Sequence, residues 1–487
     1  MLFNSLEYLI FFPIVVLLYF AMPAKAKNLW LLAASYYFYM GWNARYAFLL
    51  LFVTIATYAG SLALEKRRRR SALVIVITSV LAVLCYFKYT NFLWNNIGML
   101  CDSIGIHLVD REFDIVLPVG ISFFTFQALG YLIDVYRGDT YAERNFFRYA
   151  LFVSFFPQLV AGPIERSKNL LKQLSRTYSF SFDNFREGIL LMLWGFFMKI
   201  VIADRAALFV DEVFNDLRGY SLVYVAVATF FFAFQIYCDF AGYSTIAIGS
   251  AKVLGINIME NFNAPYLSRS VAEFWRRWHI SLSTWFRDYL YFPLGGSRCS
   301  RARRYFNLMV VFLVSGLWHG ANWTFVVWGG LNGIFQVVGL ATRDLRQRAV
   351  RLLALNVDSF SHKLLRTAVT FLLVDFTWFF FRAQRVSDFS IVLEKLSHPT
   401  LKNIWGDIGS MHTCGMDGAD FCLLVVCIAV LLISDWANFR GIAVRLGILR
   451  QDYWFRWLVF AGGLLFILIF GVWGSQYNAR NFIYFQF

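Results

Sequence analysis

Charge is scarce in this sequence. Of 487 residues only 15% are Asp, Glu, Lys or Arg, against roughly 25% in an ordinary soluble domain. The apolar residues make up 59% of the chain, with 54 Phe and 16 Trp, more than one aqueous core can hide. A soluble globule is excluded. The seven cysteines are scattered, without a Cys-x-x-Cys pair or metal-ligand spacing, so neither a disulfide framework nor a metal centre is expected. Also missing are a Gly/Ser/Pro-rich linker, a low-complexity tract and an internal repeat. Their absence speaks against several domains and against the paired halves of many transporters. A single membrane domain over 1–487 is the expectation.

What the sequence does have is long apolar runs, at 9–22, 47–64, 72–87, 222–236, 306–318, 323–340, 421–433 and 458–473. Crossing a hydrocarbon core of ~30 Å takes about 20 helical residues, and several runs reach that length with their aromatic flanks. Shorter ones, such as 306–318, point to half-helices or re-entrant pieces. The first run follows a segment without Lys or Arg, so it reads as a retained helix and not as a secretory signal. The fold class is an all-α polytopic membrane protein of roughly ten to twelve crossings with re-entrant or interfacial helices, the number of spans between 110 and 300 being left open by the pattern.

The net charge of +15 does not indicate nucleic acid, because the basic residues punctuate the apolar runs. They cluster at 66–70, 166–176, 298–304, 343–351 and 440–450. Short loops rich in Lys and Arg stay cytoplasmic, and such clusters also attract anionic headgroups of membrane lipids. Two spans separate the third cluster from the fourth and two more separate the fourth from the fifth, so all three share a side. Three spans precede Lys66, which puts the N-terminus outside. A final span near 457–474 carries the C-terminus outward, and the stretch 385–420 faces the same way.

Ionisable residues in such surroundings are costly and mark function. The stretch 268–296 holds Glu273, Arg276, Arg277, His279, Arg287 and Asp288 among tryptophans. Read as one helix, it sets Arg276 and Ser283 on the face of His279. It also reads as an amphipathic interfacial helix. A second site is Gly316-Leu317-Trp318-His319-Gly320-Ala321-Asn322-Trp323, whose glycines permit close backbone approach. A lone histidine there serves packing or chemistry. Asp239, ending another apolar run, can orient a histidine, bond a substrate hydroxyl or cap the next helix. Stretches 117–122 and 160–166 read as architectural breaks in membrane helices.

Six stretches together resemble the membrane-bound O-acyltransferase family, in the bacterial branch that includes alginate O-acetylation proteins. They are LPVGISFFTFQALGYLIDVYRGD (117–139), FFPQLVAGPIERSKNLLKQL (155–174), YCDFAGYSTIAIG (237–249), ENFNAPYLSRSVAEFWRRWHISLSTWFRDYLYFPLGG (260–296), GLWHGANWTFVVWGGLNG (316–333) and FIYFQF (482–487). The resemblance implies a bundle of about eleven helices with re-entrant pieces, pierced by a tunnel, and a catalytic core at 260–333. It matches the family's catalytic histidine to His319 and its second functional histidine to His279. It further implies transfer of an acyl group, in this branch acetyl, from a cytoplasmic thioester donor to a hydroxyl of an extracytoplasmic polysaccharide. The donor expected is acetyl-CoA, with no bound cofactor. The resemblance also implies help from a separate exported partner protein and a location in the bacterial inner membrane.

The chemistry suits these residues. A neutral histidine is an apt general base for a hydroxyl. His319 would take the acceptor's proton, while His279, Asn322 or a backbone N–H holds the oxyanion. Arg276, Ser283, Asp288, Asp239, Asn322 and Trp318 are the candidates for holding substrate. No nucleophile motif accompanies the histidines, so direct transfer is the simpler account. Three other readings stay open: D-alanyl transfer from a carrier protein to teichoic acid, a flippase for a lipid-linked substrate, and an inactive scaffold.

Overall fold

The computed structural model describes residues 1–107, 113–397 and 404–473. Among them no strand occurs. In chain order the main helices are α1 (Leu6–Ala21), α2 (Ala24–Met40), α3 (Ala47–Lys66), α4 (Arg70–Ser103), α5 (Ile121–Arg137), α6 (Phe146–Ser154), α7 (Ser167–Leu174), α8 (Phe182–Phe196), α9 (Asp204–Asn215), α10 (Leu222–Val253), α11 (Val271–Arg277), α12 (Ile280–Phe286), α13 (Arg301–His319), α14 (Trp323–Ala341), α15 (Arg343–Leu352), α16 (Phe360–Arg382), α17 (Gly418–Phe439) and α18 (Tyr453–Phe470). Polar residues start many of them. Ser5, Asn145, Ser270, Ser300, Asn322, Ser359 and Asp417 each accept a hydrogen bond from a first-turn N–H, satisfying a donor that the helix cannot.

Seven of these helices combine the length and the apolarity to cross a membrane: α3 with its preceding turn, α4, α10, α14, α16, α17 and α18. α1 is as apolar but has 16 residues. The side-chain distribution is the reverse of a soluble protein's. On α18, Leu458, Leu464, Leu465, Leu468 and Ile469 are exposed, while Ser35, Thr54, Thr57, Ser61, Asn307 and Asn332 are buried. Apolar outside and hydrogen-bonded polar inside is what a lipid solvent selects. The protein is a multi-pass membrane protein.

The chain forms two compact units, 1–192 with 244–259 and 193–243 with 260–473. In the first, α3 packs on α4, α5 and α6, and α2 on α6. Thr57 accepts a 2.7 Å bond from the Tyr149 hydroxyl. The predicted breaks are present. Gly120 starts α5 in the left-handed region (φ 74°), and a Cβ there would overlap the Leu159 carbonyl oxygen, so only glycine fits. In the turn at 160–166, buried Glu165 accepts from the Asn169 amide at 2.8 Å and from the Met259 N–H. Burial pushes its carboxyl above the usual range, against the pull of those donors.

In the second unit α13 and α14 pack antiparallel, and α16 packs on α14. Gly316 and Gly329 make the first contact: a Cβ on either would overlap a carbonyl oxygen of the facing helix, Phe325 or Phe312. The basic ends at Arg301–Arg304 and Arg343–Arg351 therefore come to one end of the pair, as the span count requires. The stretch 385–420 contains two short helices, Asp388–Ser397 and Ile404–Ser410. Residues 482–487 and the expected exit of the C-terminus lie outside the described residues.

Two expectations fail here. Residues 268–296 are not one helix: α11 ends at Arg277 and α12 begins at Ile280. Arg276 therefore shares no helical face with His279 or Ser283. Asp239 caps nothing, because α10 runs on through it to Val253.

Candidate active site

His319 is the last residue of α13. The helix stops at Gly320, where a Cβ would collide with the Phe325 ring. Asn322 then restarts the chain as α14. Its Oδ1 accepts from the Thr324 N–H at 3.1 Å and its Nδ2 donates to the Gln384 carbonyl at 3.0 Å. Both ends of that amide thus pin the turn that carries His319.

His279 occupies the break between α11 and α12 in the left-handed region (φ 44°). A non-glycine residue there stores strain, and such outliers cluster at functional sites. Asn261 holds the break. Its carbonyl accepts from the Ile280 N–H at 2.9 Å, and its Oδ1 accepts from the Ser281 N–H at 3.1 Å and the Ser281 hydroxyl at 2.9 Å. The same Oδ1 lies 3.2 Å from His279 Nδ1. A backbone N–H can only donate, so the Asn261 atom facing Ser281 is oxygen. Nδ1 of neutral His279 therefore carries the proton, and Nε2 is the lone-pair nitrogen.

The two imidazoles lie side by side, with ring centroids 6.3 Å apart. Trp318 contacts both, at 4.9 Å from His319 and 5.9 Å from His279. Trp328 and Phe381 set edges against His319 at 5.0 and 5.4 Å, and Phe240 approaches His279 to 4.6 Å. Both histidines are buried. Two buried imidazoles in an aromatic enclosure can move a proton in a medium where charge effects are strong.

Of the sequence candidates, the structure brings His279, His319 and Trp318 together. Asp239 pairs with buried Lys199 at 2.6 Å, which also holds Asp204 at 2.7 Å. The Ser283 hydroxyl donates to the Trp278 carbonyl at 3.3 Å. Arg276 is exposed on α11, and Asp288 pairs with Arg287 at 2.8 Å.

The model of the membrane-bound O-acyltransferase family matches residues 69–369, which span α11 to α14 and both histidines. The chain belongs to this family. It is 40% identical to a probable alginate O-acetylase AlgI of Azotobacter vinelandii, over 79% of this chain and 76% of the relative. It is 41% identical to the one of Pseudomonas aeruginosa, over 79% and 73%. A peptidoglycan O-acetyltransferase of Helicobacter pylori is 34% identical over 79% and 77%. The protein is an O-acyltransferase.

In this acyltransferase's buried centre, the sequence pattern passed over Lys199 and did not connect Asn261, one of the polar residues that follow the 235–244 stretch, to His279. Lys199 interrupts the apolar run 196–203, a signal of its own for an intramembrane charge. Asn261 gave no signal as the partner of His279, because the helix break that joins them is not periodic. Replacing Asn261 by Leu frees the tautomer, so turnover should fall at least tenfold, roughly as when a histidine loses its orienting partner. Steady-state kinetics on the folded variant would show a lower kcat with KM little changed; unaltered kcat would contradict this role. Gly329→Ala should destabilise the fold by about 1–3 kcal/mol through overpacking, seen as a lower unfolding temperature in detergent.

Proposed function

We propose that the protein transfers an acetyl group from cytoplasmic acetyl-CoA to a hydroxyl of an extracytoplasmic cell-envelope polysaccharide, through an exported partner protein. His319 takes the proton from the acceptor hydroxyl as its oxygen attacks the thioester carbonyl carbon. The tetrahedral oxyanion collapses, the C–S bond breaks, and the leaving thiolate recovers the proton from His319. His279 offers Nε2 as an acceptor, so its part while neutral is to align the hydroxyl and not to donate to the oxyanion. Trp318 closes the site over both rings. The observation that carries this reading is the pair of buried histidines 6.3 Å apart in one aromatic enclosure.

Placement supports the direction. His319 lies 18 residues beyond Arg301, about 27 Å along α13, near the hydrocarbon thickness of ~30 Å. With the basic end cytoplasmic, the N-terminus is outside and His319 sits toward the outer face of the inner membrane. An outside hydroxyl can reach it there, while the thioester arm reaches in from the cytoplasm. Names of the acetylating relatives favour acetyl over D-alanyl transfer. Vesicles of both orientations test the arrangement: acetyl-CoA supplied to the cytoplasmic face alone should be consumed. Equal consumption from either face would contradict it, and activity only with a carrier-bound aminoacyl donor would favour the D-alanyl reading.

A further inference from the structure

At the other end of the α13–α14 pair, α14, α15 and α16, with α11 and the residues just before it, line a partly open cavity of about 1550 Å³. Thr342, on its wall, is 19 residues from Trp323, about 28 Å along the chain from the histidine end. Six arginines line the cavity: Arg269, Arg276, Arg343, Arg346, Arg351 and Arg366. No carboxylate lines it, and among the described residues none of the six is in an ion pair. Three are tethered to backbone: Arg366 Nε donates to the Arg269 carbonyl at 3.3 Å, Arg351 Nε to the Gln347 carbonyl at 3.4 Å, and Arg346 to the Gly339 carbonyl. Each tether uses one of five guanidinium donors and leaves the rest for a ligand.

The remaining wall has the opposite character. Ile334 and Val338 of α14 face Leu365, Val369 and Leu373 of α16 across it, and all five are outward-facing apolar residues. On membrane-crossing helices such residues meet acyl chains. Gly339 leaves open space beside α14, since a Cβ there would touch nothing within 4 Å. The apolar strip runs about 12 Å from Thr342 back to Ile334. A cluster of uncompensated arginines above an apolar groove is amphiphilic, and its ligand must be amphiphilic in the same order.

We infer that this cavity is a binding site for an anionic glycerophospholipid, its phosphate held by the arginines and its acyl chains laid along α14 and α16. Guanidinium binds phosphate oxygens in bidentate fashion, and basic pockets between membrane helices select anionic headgroups. A zwitterionic lipid would bring an ammonium group among six arginines and is disfavoured. The site lies outside the histidine enclosure and stands whether or not the acyl acceptor is a polysaccharide.

The test is native mass spectrometry of the full chain released from nanodiscs of phosphatidylcholine with phosphatidylglycerol. The intact protein should retain phosphatidylglycerol in preference to phosphatidylcholine. The triple variant Arg343→Gln, Arg346→Gln, Arg366→Gln should lose that retention by roughly tenfold or more. The charge-matched triple variant Arg301→Gln, Arg303→Gln, Arg304→Gln, outside the cavity, should keep it. Equal retention by all three proteins would overturn the site, as would equal retention of the two lipids. Displacement by free coenzyme A or inorganic phosphate would overturn it in favour of a soluble phosphate ligand. Should the first triple variant fail to fold, Val338→Trp with Val369→Trp fills the groove at unchanged charge. Retention must then fall as well, and full retention would contradict the inference.

Discussion

His319→Ala is expected to lower acyl transfer by about 10²–10⁴-fold, the range a positioned general base contributes. The protein should still insert and fold, because His319 is the last residue of α13 and meets Trp318, Trp328 and Phe381 through ring edges. The loss should fall on kcat. His279→Ala should also lower kcat, and the double variant should be little worse than His319→Ala alone, since residues acting as a unit are not additive. Turnover of labelled thioester by each purified variant, beside its elution profile, separates lost chemistry from lost fold. Normal turnover by His319→Ala would remove the base from the mechanism.

Lys199→Met is the second large effect, and it falls on stability. Lys199 is buried with Asp204 and Asp239 at 2.7 and 2.6 Å. Removing the cation leaves two carboxylates facing each other in a medium of low polarity. Breaking a buried pair this way costs about 3–5 kcal/mol. The variant should yield little folded protein. Adding Asp204→Asn and Asp239→Asn removes the stranded charges and should restore most of the folded yield, because neutral replacements of buried ion groups are often tolerated. Fluorescence-detected size exclusion and thermal unfolding in detergent read both outcomes. A Lys199→Met protein as stable as the intact one would show that the triad carries no such energy.

Much of the fold was legible because lipid imposes a simple rule on sequence. The runs at 47–64, 323–340, 421–433 and 458–473 became α3, α14, α17 and α18 within a few residues. The clusters at 298–304 and 343–351 were read as sharing a side, and antiparallel α13 and α14 bring them to one end. His319 and His279 were read from local motifs, and their meeting needed the fold. What pattern could not give was the geometry of 260–290. Periodicity carries one helix across Trp278 and His279, and only the hydrogen bonds of Asn261 show why the backbone turns there. The pairing of Asp239 was out of reach for a similar reason. Its partner Lys199 is 40 positions earlier, and a buried pair that distant leaves no local trace.

Acyl transfer itself tests the role of the paired histidines. Purified protein in nanodiscs would receive acetyl-CoA labelled in the acetyl group, with its exported partner or a polysaccharide as acceptor and the His319→Ala protein alongside. Label should appear on the acceptor as an alkali-labile ester, free coenzyme A should be released in equal amount, and the variant should lose both; a chain that only moves a lipid-linked substrate would show neither. Movement of the label across the bilayer with its thioester intact, indifferent to His319, would contradict that role.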